Sequence, residues 1–329
     1  MFNALVAQQS DKTITCNFEQ WDNSQLPDHA VLVNVSHSSI NYKDALAVTN
    51  RGRILRSLPM VPGIDMVGSV VESANTDFQA GDKVVLCGGG LGEDYSGGFA
   101  EYARVPAEPL VKLPSAMSPE DSMAAGTAGF TAMLSVLALQ DAGIKADSGN
   151  IIVSGASGGV GSVAIAILSR LGYSVTAISG RPEHSDFLKQ LGANEVLPRE
   201  EFLEPAKPLE RQRWAGAIDT VGDNLLAKLL TQINYSGAVA SCGLAGGHKL
   251  NTTVMPFILR GIKLLGINST YIDNELRQRA WQQLADVLDH DFWASISQTI
   301  GFQDIPEYAE KLLAGEIRGR IIVDMQNCG

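Results

Sequence analysis

Short apolar or alternating runs at 2–8, 30–36, 66–71, 83–87 and 99–105 are separated by Gly, Pro, Asn and Asp. That pattern predicts a strand-and-turn region over the first part of the chain. At Ser118-Pro119-Glu120-Asp121 the pattern turns helical. Serine can cap, proline suits the first helical position, and the acids favour the positive end of the helix dipole. The rhythm changes again after Asn150. Strand-like runs at 151–154, 174–179, 195–197, 217–219 and 238–242 alternate with helical stretches at 160–171, 185–191 and 224–233, and Gly172 closes the first of these helices. Alternation in units of this length predicts a parallel sheet covered on both faces. Residues 263–267 can supply its last strand, 275–288 has helical spacing, and 320–324 is a terminal strand expected to rejoin the first region.

Composition narrows the class. With 329 residues, two domains are the expected count. A chain that is 45% hydrophobic and 19% charged, with 33 glycines, fits a compact α/β enzyme rather than a disordered protein. The net charge of −11 argues against nucleic-acid or anionic-membrane partners, which call for a basic face. One uncharged run, 122–140, is long enough to raise the question of a membrane span. Glu120, Asp121 and Asp141 flank it rather than Lys or Arg, so a buried helix is expected. Cys16, Cys87, Cys242 and Cys328 lie far apart and form no CxxC pair, which predicts reduced thiols and a cytoplasmic location. Residues 1–9 lack a basic region, so no signal peptide is expected.

The motif with the sharpest chemistry is Ser154-Gly155-Ala156-Ser157-Gly158-Gly159-Val160-Gly161, which follows a predicted strand and opens a predicted helix. In that context small residues let the backbone approach a pyrophosphate, and the helix N-terminus faces its negative charge. A plain tight turn is the bland alternative. The next strand ends Ile178-Ser179-Gly180-Arg181, without the Asp or Glu that bonds a ribose 2′-hydroxyl in sites for NAD. A guanidinium there can instead grip a 2′-phosphate, with Ser179 adding a hydroxyl and Arg199 a second charge. NADPH is therefore the expected cofactor, against ordinary exposed arginines as the alternative.

A nucleotide motif in mid-chain, behind a β-rich region, disfavours the short-chain dehydrogenases, and none of the seven tyrosines has Lys four residues later. The chain instead resembles the medium-chain dehydrogenase/reductase superfamily. The resemblance rests on Asn41-Tyr42-Lys43-Asp44, Pro62-Gly63-Ile64-Asp65-Met66-Val67-Gly68, Ala80-Gly81-Asp82-Lys83-Val84, Gly97-Gly98-Phe99-Ala100-Glu101-Tyr102, Gly126-Thr127-Ala128-Gly129-Phe130-Thr131-Ala132 and Gly319-Arg320. It implies an α/β fold: a GroES-like β-rich catalytic domain of residues 1–122 and 270–329, and a Rossmann doubly wound parallel-sheet domain of residues 123–269 that binds NADPH. The superfamily's zinc-ligand positions read Asn41-Tyr42 and Gly63-Ile64-Asp65, and no cluster of four cysteines exists for a structural zinc. His29, His37, His184, His248 and His290 are scattered, so no metal site is expected.

Within the superfamily the chain is similar to the zinc-free quinone oxidoreductase group, and inside it to the acryloyl-CoA reductase branch. Trp214-Ala215-Gly216-Ala217-Ile218-Asp219-Thr220-Val221-Gly222, Cys242-Gly243-Leu244-Ala245-Gly246-Gly247 and Val254-Met255-Pro256-Phe257-Ile258-Leu259-Arg260 carry that likeness. It implies NADPH contacts from Tyr42, Ser157, Gly158, Gly159, Val160, Ser179, Gly180, Arg181, Arg199 and Leu244, with Ile258 and Ser269 as further candidates. Hydride attack on the β-carbon of an activated alkene leaves an enolate, whose oxygen needs donors such as backbone N–H groups, Tyr42 or a cofactor hydroxyl. Asn41, Tyr42 and Asp44 are the catalytic candidates; Asp44 can orient Lys43 or a water, or can be a structural carboxylate. Arg51, Arg53 and Arg56 form a tight basic cluster that can bind the phosphates of an acyl-CoA, or can be a solvated loop. The leading reading is reduction of acryloyl-CoA to propanoyl-CoA. Quinone reduction and a non-catalytic NADPH-binding role are the alternatives. A homodimer is expected through the apolar strand Leu264-Leu265-Gly266-Ile267 at the edge of the nucleotide-domain sheet.

Overall fold

The computed structural model describes residues 1–10 and 13–326. Cys328, one of the four cysteines expected to be reduced, lies outside the described residues; Cys16, Cys87 and Cys242 are free thiols. The chain divides into two compact units, Met1–Phe130 with Ser269–Gly329, and Thr131–Asn268. The sequence expectation drew those divisions at 122/123 and 269/270.

The first unit opens with β1 (Phe2–Ser10), β2 (Thr13–Trp21), β3 (Val31–Ser39), α1 (Tyr42–Val48), β4 (Asp65–Ser73), β5 (Lys83–Cys87), β6 (Tyr102–Val105), β7 (Val111–Lys112) and the start of α2 (Pro119–Asp141). Capping works as the sequence predicts: Asp121 N donates to Ser118 Oγ at 3.0 Å, and Ser118 N donates to Asp121 Oδ2 at 3.2 Å. Within the apolar stretch of α2, 89% of the residues are buried in the protein, which answers its membrane-like length with packing.

The second unit carries β8 (Ile151–Val153), α3 (Gly159–Arg170), β9 (Val175–Ser179), α4 (Ser185–Gln190), β10 (Glu195–Pro198), β11 (Trp214–Asp219), α5 (Asp223–Gln232), β12 (Ile233–Ser241), α6 (Met255–Arg260) and β13 (Lys263–Gly266). These six strands form one sheet in the order β10-β9-β8-β11-β12-β13, and every pairing is parallel. The order reverses beside β8, which is where a doubly wound sheet opens a crevice at its strand C-termini. The central strands β8, β9 and β11 are buried along their whole length, as parallel strands covered on both faces must be. Ile152, Val239, Leu229 and Phe202 join one apolar cluster there, each worth roughly 1.5–3 kcal/mol when fully buried.

The chain then returns to the first unit through α7 (Asn274–Val287), α8 (His290–Ile296), β14 (Ser297–Gly301), α9 (Ile305–Leu313) and β15 (Arg320–Asp324). β15 rejoins the first sheet as expected, antiparallel to β3 and parallel to β14. Several elements depart from the sequence pattern. β2 was not predicted, because its alternation is mostly polar, and it pairs along β1. α1, α6, α8 and α9 are also absent from the predicted set, being short pieces of nine residues or fewer. The helix expected to reach residue 233 stops at Gln232, and β12 begins at Ile233 with no intervening loop.

Candidate active site

In the second unit β8 ends at Val153 and the chain turns through Ser154–Gly158 into α3. The turn is anchored from beneath. Ser154 Oγ donates to the buried carboxylate of Asp219 at 2.6 Å, at the end of β11. Thr220 N donates back to Ser154 Oγ at 3.0 Å, and Thr220 Oγ1 donates to Ser154 O at 3.1 Å. Gly155 has φ of +56°, and a Cβ there would stand 2.1 Å from Thr220 Oγ1, so glycine is required. Asp219 also accepts from the N–H groups of Gly222 at 2.9 Å and Val221 at 3.3 Å. Burial nonetheless raises its pKa above the ordinary carboxylate value.

Gly158 precedes α3 and offers no side chain to cap it. The first-turn N–H groups, from Gly159 and Val160 onward, have no acceptor within the helix and are free for an anion. Ser157 and Gly158 flank that opening.

The end of β9 brings the predicted cationic residues together. β10 pairs with β9 in parallel with Pro198 opposite Ser179, so Arg199 falls level with Gly180. The Arg199 guanidinium lies over Gly180, its Cζ 3.0 Å from where a Cβ would be. Arg181 is exposed alongside. Ser179 shapes the corner: its Oγ accepts from Arg181 N at 3.1 Å and donates to Arg181 O at 3.2 Å. The Arg199 guanidinium and the exposed Arg181 thus share a strand end that carries no carboxylate, cations suited to a phosphate monoester.

Leu244 is exposed on the loop after β12, which is held to the 220–223 turn by Gly246 N donating to Val221 O at 2.8 Å. Cys242 in that loop has its thiol pKa pushed up to about 12 by burial. Ile258 is exposed on α6. Ser269 opens the returning part of the first unit, where its carbonyl packs against Gly88.

In the first unit, Asn41 and Asp44 are buried and Tyr42, the first residue of α1, is 64% exposed. Asp44 takes the structural role rather than a solvent-facing one. Its Oδ2 accepts from Asn41 N at 2.8 Å and its Oδ1 from Ile64 N at 2.8 Å. Burial, then the neighbouring Asp65 charge, raise its pKa to about 7. It does not orient Lys43, whose Nζ instead pairs with Glu93 at 2.8 Å.

Two of the three clustered arginines carry ion pairs at the surface. Arg51 pairs with Glu310 at 2.7 Å and Arg56 with Asp94 at 2.8 Å. The reason is local: carboxylates from α9 and from the 93–94 turn lie within reach of the arginine loop. Arg53 makes no ion pair among the described residues. Tyr271 donates to the same Asp94 carboxylate. Glu93, Asp94 and Tyr271 are neighbours of the site that spacing did not reveal, because they meet it only through the folded turn.

At the positions where zinc members carry ligands, Asn41 Nδ2 donates to Asp65 Oδ2 at 2.7 Å, and Asp65 is further bonded to Ser39 and Thr127. These side chains satisfy one another, which does not fit a metal-ligand set. Among the described residues no three His, Cys, Asp or Glu side chains group as one.

With this geometry in place, comparison with known proteins is informative. Residues 27–115 match the family described as "Alcohol dehydrogenase GroES-like domain", and residues 159–288 match "Zinc-binding dehydrogenase". The chain is 50% identical over 320 residues to a protein of Escherichia coli (strain K12) named "Probable acrylyl-CoA reductase AcuI", covering 97% of this chain and 98% of that one. It is 45% identical over 329 residues to the acrylyl-CoA reductase AcuI of Ruegeria pomeroyi, covering 99% of each. Among solved structures, the yhdH oxidoreductase of Salmonella enterica in complex with NADP superposes with a TM-score of 0.96 at 49% identity, covering 98% of this chain and 100% of that one. The Bacillus subtilis protein yhfP with NAD bound superposes with a TM-score of 0.93 at 41% identity, covering 98% and 99%.

Proposed function

The chain belongs to the medium-chain dehydrogenase/reductase family, and on that premise we propose that it reduces acryloyl-CoA to propanoyl-CoA with NADPH. The observation that carries this reading is the 45–50% identity, along nearly the whole chain, to two proteins named as acrylyl-CoA reductases. When bound, the cofactor supplies a hydride for the β-carbon of the thioester's C=C bond. The N–H groups opening α3 hold the pyrophosphate. Arg181 and Arg199, with Ser179, hold the 2′-phosphate and select NADPH over NADH. Tyr42 presents its hydroxyl toward the substrate, where it can steady the enolate oxygen while a proton from water reaches the α-carbon. The balance is closed: one hydride and one proton add across the double bond, and NADP⁺ leaves.

Steady-state kinetics with NADPH should give a higher kcat/KM for acryloyl-CoA than for a benzoquinone. Crotonyl-CoA should be poorer, because its β-methyl crowds the carbon that accepts hydride. A benzoquinone outperforming acryloyl-CoA would replace the thioester reading with quinone reduction, and no oxidation of NADPH by either would leave a binding role alone. The arginine loop then contributes most through Arg53, the charges of Arg51 and Arg56 being partly offset by Glu310 and Asp94.

The same reading includes a homodimer. β13 is an edge strand, and Val254, Ile258 and Leu259 on and before α6 are exposed. An uncovered parallel edge flanked by apolar side chains favours pairing with its symmetry mate. Light scattering at micromolar concentration should report twice the chain mass; a monomer would contradict it.

A further inference from the structure

Helix α2 is broken at Gly126, whose φ of 51° and ψ of −160° leave the helical region. A Cβ there would stand 2.5 Å from Asp65 Oδ2 and 2.8 Å from Arg320 Nη2, so only glycine fits the joint. A break in a buried helix leaves carbonyls without partners on one side and N–H groups on the other. Two buried side chains of opposite charge, Asp65 and Arg320, meet both. Arg320 Nε donates to Ala124 O at 2.9 Å. Asp65 Oδ2 accepts from Thr127 N at 2.8 Å, and its Oδ1 accepts from Thr127 Oγ1 at 2.6 Å.

Both members of that pair converge on Asn41. Its Nδ2 donates to Asp65 Oδ2 at 2.7 Å, and its Oδ1 accepts from Arg320 Nη2 at 3.0 Å. A carboxamide can donate to an anion and accept from a cation at the same time, which neither a carboxylate nor a hydrocarbon of its size can do. Asn41 also immediately precedes α1, whose first residue is Tyr42. The start of α1 is therefore tied twice, through the Asn41 backbone to Asp44 and through the Asn41 side chain, which bridges Asp65 and Arg320. No hydrogen bond holds the Tyr42 hydroxyl among the described residues, so the direction of the phenol follows from where the first turn of α1 is held.

We propose that Asn41 is a positioning residue: its carboxamide transfers the fixed geometry of the Asp65–Arg320 pair to the first turn of α1, and thereby aims Tyr42 at the substrate. This rests on the reading of Tyr42 as the substrate-facing hydroxyl. Asn41 acts through Tyr42 and does not itself touch the reacting atoms.

The experiment is a double-mutant cycle on the full-length protein with NADPH and acryloyl-CoA. Asn41→Ala should lower kcat about 10- to 30-fold, with the Kd for NADPH within about twofold, because the phosphate-binding residues lie in the other unit. In a Tyr42→Ala background the same change should cost less than about threefold, since the group that Asn41 aims is gone. Asn41→Leu, similar in size but unable to donate to Asp65 or accept from Arg320, should lose as much kcat as the alanine variant. Thermal melts and NADPH titrations on each variant identify the folded fraction to which rates are normalised. Equal losses from Asn41→Ala in both backgrounds would overturn the proposal and leave a structural role, as would an unchanged kcat. If instead Tyr42→Ala alone leaves kcat at the wild-type level, it is the reading of Tyr42 that fails.

Discussion

Removing the Arg181 guanidinium should weaken NADPH binding about 10- to 150-fold and leave NADH within about twofold. A charge-assisted hydrogen bond contributes about 1.5–3 kcal/mol, and each 1.4 kcal/mol is a factor of ten in Kd. The difference between cofactors follows from location: Arg181 stands at the end of β9, where only the 2′-phosphate distinguishes the two nucleotides. Arg199 lies over Gly180 within the same corner. Arg181→Ala and Arg199→Ala should therefore combine non-additively, because one phosphate mediates both effects. Titration of each variant with NADPH and NADH by fluorescence measures this directly. Equal losses for the two cofactors would show that neither guanidinium reads the 2′-phosphate.

Arg320→Met should destabilise the first unit by about 3–5 kcal/mol, the usual cost of leaving a buried charge, here that of Asp65, without its opposite charge nearby. Asp65 would keep its donors from Ser39, Asn41 and Thr127 but lose its counter-charge, and the Ala124 carbonyl would lose its partner. For a domain of this size such a loss lowers Tm by roughly 6–20 °C. Gly126→Ala attacks the same joint from the other side, through its positive φ and the 2.5 Å approach to Asp65, and should be similarly damaging. Calorimetry of both variants checks this. A Tm within 2 °C of wild type for Arg320→Met would mean that the pair contributes little net stability.

The nucleotide-binding elements of the second unit were the more legible in sequence, for a physical reason. Phosphate binding by a strand-turn-helix unit uses backbone N–H groups and a few small residues contiguous in the chain, so Ser154 to Gly161 carries its own context. Even the placing of Arg199 level with Gly180, next to Arg181 in the chain, follows from parallel pairing of successive strands, a regularity that alternation implies. What sequence did not reveal there is the anchor. Asp219 and Thr220 arrive from β11, and only the central position of β8 between β9 and β11 brings them beneath the turn.

The candidate residues of the first unit depended much more on tertiary structure. Sequence alone determined that residues 41–44 are polar and clustered, that the zinc-ligand positions hold other side chains, and that the arginines at 51, 53 and 56 are neighbours. It could not decide which of these face solvent. Folding buries Asn41 and Asp44 and exposes Tyr42, because α1 begins where β3 ends and its first turn is held from within. It also sets Glu310 against Arg51 and Asp94 against Arg56, pairs separated by 259 and 38 positions in the chain. Contacts that are local in the chain, such as caps, phosphate turns and strand alternation, leave a periodic or motif signature. Contacts that close a long loop are chosen by the packed geometry, and they leave no such mark in the chain.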